Sequence, residues 1–81
     1  MEKPIKITLH ARRRMFKYGL EEDAVVQALR APDYVTEGGL GRKIAHRFMD
    51  DLVLRVIYED NDEIVVVTVY PARRRRYAET V

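Results

Sequence analysis

The 81-residue chain contains no cysteine and no serine. Without cysteine there is neither a disulfide framework nor a thiolate metal site. Without either residue, the usual serine and cysteine nucleophile triads are excluded. Apolar residues never run to the roughly 20 that a membrane helix requires, and Met1-Glu2-Lys3-Pro4 does not read as a signal peptide. The expected compartment is therefore the cytoplasm, with no membrane partner. Glycine is scarce as well, and three of its four occurrences fall in Gly38-Gly39-Leu40-Gly41. That segment lacks the strand–loop–helix setting of a dinucleotide fingerprint and the lysine spacing of a phosphate loop. The two histidines, His10 and His46, form no His-x-x-x-His pair, and the acids are confined to turns and one helix start. No metal and no cofactor is expected.

What is present describes a small folded unit. Apolar residues make up 47% of the chain, which argues against disorder. The length allows one core, so residues 1–81 are read as a single domain, with 73–81 as a flexible basic tail. The net charge is only +2, but its distribution is uneven. Cations gather at Arg12-Arg13-Arg14 with Lys17, at Arg42-Lys43 with Arg47, and at Arg73-Arg74-Arg75-Arg76. If these clusters converge they suit a phosphate backbone; if they scatter they are solvated faces.

Local pattern then gives the elements. Ile5-Lys6-Ile7 alternates as a short strand. Thr8 caps a helix predicted over residues 9–18, and Gly19 stops it in the left-handed region. Ala11, Met15 and Tyr18 fall on its core stripe, with His10, Arg14 and Lys17 on its flank. A second helix is predicted over 21–30, its three leading acids matching the helix dipole and Pro32 ending it. From Tyr34 onward β-branched and aromatic residues alternate, giving strands at 34–37, 43–49, 52–59 and 63–70. The fold class is α+β: a short N-terminal strand, two helices, then an antiparallel sheet of three to four strands.

A two-residue turn at Asn61-Asp62 would set Tyr58 against Val65, Val56 against Val67 and Leu54 against Val69, all on the core face. Val53, Arg55, Ile57, Val66, Thr68 and Tyr70 would then share the other face, with Arg55 opposite Thr68 and Tyr70 one diagonal away.

The chemistry left open needs only arginine, tyrosine and histidine. RNA cleavage is of that kind, because the ribose 2′-OH is the nucleophile and the protein need only orient it, move protons and stabilise charge. The candidate catalytic set is His10, Arg14, Arg55 and Tyr70. Arg13, Lys17, Arg47, Thr68, Arg73, Arg74 and Tyr77 are the candidate nucleic-acid contacts, through phosphate pairing or base stacking. Against each stands a plain structural role: a satisfied histidine, an edge aromatic, a solvated tail. His46, on one side of its strand with Ile44 and Phe48, reads as a packing residue or a phosphate contact.

Two segments carry a resemblance. His10-Ala11-Arg12-Arg13-Arg14-Met15, followed by Gly19-Leu20-Glu21-Glu22-Asp23-Ala24-Val25, resembles the opening of a widespread prokaryotic family of small domains of unknown function. Val66-Val67-Thr68-Val69-Tyr70-Pro71 resembles that family's close. The likeness runs from Ile7 to Tyr77, departing at Tyr18, where the family often has arginine, and at Glu21, where it has serine. That family is similar to the RelE/BrnT-like toxin superfamily, which implies helices packed on one side of a curved antiparallel sheet. It further implies messenger-RNA endonucleases, some ribosome-dependent, neutralised by an antitoxin. By this resemblance His10, Arg14, Arg55 and Thr68 mark the site. Three readings stay open: a toxin-type metal-independent RNA endonuclease with an antitoxin partner, a non-catalytic RNA-binding or ribosome-associated module, and a small protein-interaction scaffold. A homodimer is compatible with each.

Overall fold

The computed structural model describes residues 3–73. The elements are β1 (Ile5–Ile7), α1 (Leu9–Tyr18), α2 (Glu22–Arg30), β2 (Tyr34–Gly39), β3 (Arg42–Met49), β4 (Leu52–Asp60) and β5 (Ile64–Arg73). All five strands belong to one sheet in the order β1-β5-β4-β3-β2. The α+β class is as expected, but the sheet is larger and it is mixed. β1 joins it as an edge strand running parallel to β5, Ile5 beside Ile64 and Ile7 beside Val66. A three-residue strand cannot satisfy its own backbone. The pairing does so, with Ile64 N–H donating to the Pro4 carbonyl at 2.9 Å and Thr8 N–H to the Val66 carbonyl at 3.2 Å.

Helix α1 has the predicted limits because its caps are in the sequence. Thr8 Oγ1 accepts from Ala11 N–H at 3.1 Å, and Gly19 takes φ 66°, a conformation that favours glycine. The same Thr8 hydroxyl donates to the Val66 carbonyl at 2.9 Å, so the cap also pins the helix to β5. Helix α2 begins one residue later than predicted, because Glu21 serves as an N-cap without a side-chain hydrogen bond.

Among the described residues one face of the sheet carries no helix, and both helices lie on the other. Ala11 and Met15 of α1, and Val25 and Ala28 of α2, are buried there against Ala45, Leu54, Val56, Tyr58, Val66 and Val69. Burial raises the pKa of the Tyr58 phenol, with the charges of Lys43, Asp60, Glu37 and Lys3 as smaller contributions of both signs. Tyr18 does not complete the core stripe of α1. It is 38% exposed and accepts a hydrogen bond from Arg14 at 3.2 Å.

The β4–β5 register also differs from the simple hairpin. Asp60 pairs with Ile64, so the loop is the three residues Asn61, Asp62 and Glu63. Tyr58 then faces Val66 while Ile57 faces Thr68, leaving Val67 as a bulge. One extra residue inverts the side-chain alternation. Val66 therefore enters the core instead of the opposite face, Val65 and Val67 leave it, and Arg55 lies directly opposite Tyr70, not Thr68.

Candidate functional site on the helix-free face of the sheet

Alternation along β4 sends Leu54, Val56 and Tyr58 toward the helices and Val53, Arg55, Ile57 and Glu59 the other way. The second face carries the polar groups of interest. Registers across four strands line them up in one row: Tyr34 of β2 pairs with His46 of β3, His46 with Arg55 of β4, and Arg55 with Tyr70 of β5. His46, and not Arg47, therefore shares a face with Arg55.

The row is internally packed. Tyr34 and His46 stack with ring centroids 4.2 Å apart and planes 8° from parallel. Phe48 meets Tyr34 edge-on at 6.1 Å. His46 Nε2 is hydrogen-bonded to Thr36 Oγ1 at 2.9 Å. At the far end the Arg55 guanidinium carbon lies 5.0 Å from the Tyr70 ring centroid, a cation–π contact. Apolar side chains flank the row on one side, where Phe48, Val53 and Ala72 pair across the strands.

His46 is only 2% exposed. Burial lowers its pKa, and the neighbouring Arg55 charge lowers it further. Both causes disfavour the imidazolium, so the ring beside Arg55 is neutral near pH 7. Asp33 fixes the start of β2 above it, donating its N–H to the His46 carbonyl at 2.7 Å and accepting from Phe48 N–H at 2.7 Å.

The candidate residues fall into separate groups. Arg55, Tyr70 and Thr68 share the helix-free face, with Thr68 paired to Ile57 one row along. His10 and Arg14 ride on α1, which covers the other face, so the four candidate catalytic residues do not form one cluster. Arg13 and Lys17 are exposed on α1, with the Lys17 ammonium 5.5 Å from the Tyr18 ring centroid. Arg47 alternates onto the helix side, where Nη1 donates to the Ala31 carbonyl at 2.6 Å. It thus serves the C-cap of α2. Arg73 ends β5, exposed and paired with Leu52. Arg74 and Tyr77, and the rest of the expected tail, lie outside the described residues.

Tyr34 and Thr36 were not singled out from sequence, and one signal could have placed His46. A two-residue turn at Asp50-Asp51, Asp50 at φ 54°, pairs Met49 with Leu52. Counting back from that turn sets His46 opposite Arg55.

Among the described residues no cluster of three or more histidine, aspartate or glutamate side chains is placed to hold a metal ion. No helix among them is long and apolar enough to cross a membrane. No curated protein and no solved structure matches the chain. A family model described as a domain of unknown function, DUF4258, matches residues 7–71, and the chain belongs to that family.

Proposed function

We propose that this DUF4258 domain binds RNA on the helix-free face of its sheet and cleaves it without a metal ion. The observation that carries the reading is the Tyr34–His46–Arg55–Tyr70 row, which sets a guanidinium between an aromatic ring and a neutral imidazole. Arg55 takes the scissile phosphate through its paired N–H donors and stabilises the charge that develops on it. The ribose 2′-OH attacks phosphorus, its proton passes to a base, and the P–O5′ bond breaks as O5′ is protonated. The products are a 2′,3′-cyclic phosphate and a 5′-OH. Tyr70, in contact with Arg55, is the proton carrier on this side of the sheet, and Thr68 is a further contact one row away. His46, the cross-strand neighbour of Arg55, is a positioning residue. His10 and Arg14 lie outside this site.

Several finer expectations belong to the same proposal: kinship with RelE/BrnT-like toxins, a protein antitoxin, action in the cytoplasm, and a homodimer. The match to the family assigns no reaction, so they rest on the resemblance of the opening and closing motifs.

The test is incubation of purified protein with RNA in EDTA, comparing wild type with Arg55→Ala and Tyr70→Phe. Fragments ending in 2′,3′-cyclic phosphate are expected from wild type. The rate should fall by about 100-fold or more in Arg55→Ala, in a variant that still melts cooperatively. Intact RNA with wild type, or unchanged cleavage by Arg55→Ala, would sink the catalytic reading. The burial of His46 favours one alternative, an RNA-binding module without catalysis, because the imidazole nearest Arg55 is closed to solvent. Intact RNA, bound in a salt-dependent manner and lost in Arg55→Ala, would select it.

A further inference from the structure

The outer side of α1 is unusual in a way that the sheet site does not use. Ala11 and Met15 are its buried residues. At 100° per residue, the side away from them carries Leu9, Arg13 and Phe16 along its crest. Arg12 flanks the crest on one side, and His10 and Lys17 flank it on the other. Phe16 is 91% exposed and Leu9 66% exposed. Single exposed apolar residues are ordinary, but this phenyl ring stands among cations. The ten residues of α1 include Arg12, Arg13, Arg14 and Lys17 and no carboxylate. Arg12 is paired with Glu22 of α2 at 3.0 Å and Arg14 donates to Tyr18. Helical position puts Arg13 on the crest and Lys17 on its flank next to Phe16, the Lys17 ammonium also lying over the Tyr18 ring.

We infer that this crest is a second RNA-binding surface, on which one base of a single strand stacks on Phe16 while adjacent phosphates lie on Arg13 and Lys17. The choice of ligand rests on the RNA reading above; the surface itself does not. A phenyl ring has no polar edge to read a base, so its contribution is stacking, which every base can offer. Arg13 and Lys17 are four residues apart, about 6 Å along the axis, comparable to the step between neighbouring phosphates of an extended strand. A partner helix would need apolar anchors at successive third and fourth positions. Between Leu9 and Phe16 those positions hold Arg12 and Arg13, which suit phosphate and not an apolar seam.

The crest and the Arg55 row lie on opposite sides of the sheet, so they are separable by mutation. The experiment is fluorescence anisotropy with labelled single-stranded polyuridine, using wild type, Phe16→Ala, Phe16→Trp, the Arg13→Ala/Lys17→Ala double variant and Arg55→Ala, each checked by thermal melting. Phe16→Ala should weaken binding by about 5- to 100-fold while Phe16→Trp retains it. The double variant should reduce the slope of log K against log salt by about 1.4, the value for two phosphates of a single strand. Wild-type affinity in Phe16→Ala, with Arg55→Ala weakened, overturns the crest and leaves the sheet-face reading standing. Loss in Phe16→Ala with no effect of Arg55→Ala supports the crest and removes the sheet face as the RNA site. If polyuridine binding ignores Phe16 while a polyglutamate peptide binds and is lost in Phe16→Ala, the crest serves a protein partner and the inference fails.

Discussion

Acid should weaken this fold between pH 7 and 5.5 through one residue, His46. Its ring is stacked on Tyr34, hydrogen-bonded to Thr36, and set across from Arg55. Burial first, and Arg55 second, hold its pKa below the ordinary imidazole value. In the unfolded chain the ring regains that value, about 6.5. The unfolded state therefore binds more protons as the pH falls below this, and linkage makes stability fall with it. Above pH 7 the ring is neutral in both states and the dependence vanishes. If the folded ring stays neutral throughout, the loss between pH 7 and 5.5 is about 1.2 kcal/mol. For a domain of this size that is about 5–10 °C in melting temperature. Asp60 does not intrude on this window. Its pKa is pulled down, chiefly by the hydrogen bond from Lys3, so its stabilisation is lost as the pH falls from the ordinary carboxylate value to the lowered one, below the His46 window. The assay is thermal melting at intervals across the window, for wild type and for His46→Gln. The wild type should lose stability on acidification and the variant should lose distinctly less. Parallel curves for the two proteins would refute the assignment of the acid sensitivity to His46.

Two further predictions concern the scaffold. Arg47→Ala removes the donor to the Ala31 carbonyl at the C-cap of α2. It should cost about 0.5–1.5 kcal/mol by urea denaturation, with RNA binding by the Arg55 face unchanged. Deleting Val67 removes the bulge but keeps every face assignment, because Tyr58–Val66 and Ile57–Thr68 become consecutive pairs of a regular ladder. Cooperative unfolding should therefore persist in the deletion variant, and its loss in a urea melt would show that the bulge itself is required.

Where structure is local, the sequence was sufficient. Thr8 and Gly19 bracket α1 because capping is chemistry between neighbours. Leu54, Val56 and Tyr58 fall on the core side because alternation along one strand needs no partner. What could not be read depends on relations between strands. The Asn61–Glu63 loop is one residue longer than the simplest turn, and nothing in three successive valines says which of Val65, Val66 and Val67 will bulge. Ile5–Ile7 looks like an isolated strand because its partner, Ile64–Val66, lies at the far end of the domain. The candidate site divides in the same way. Arg55 and Tyr70 were recognisable as sharing a face, whereas Tyr34 and Thr36 acquire meaning only when β2 and β3 are in register around His46.

The pairing of β1 with β5 has a consequence for how the protein is made. Ile5–Ile7 and the buried face of α1 have their sheet partners in residues 64–73, which are synthesised after the other described strands. Until that strand emerges, β1 and α1 lack the strand they dock on, and loop closure across the domain must come before any gain from the contacts. Residues 22–60 can assemble α2 and a three-stranded meander earlier, but Tyr70, one end of the Arg55 row, arrives only with β5. A product truncated by a stop codon in the β4–β5 loop would therefore carry neither a seated first helix nor a finished row. The order of synthesis thus holds back the assembled face until β5 has been made.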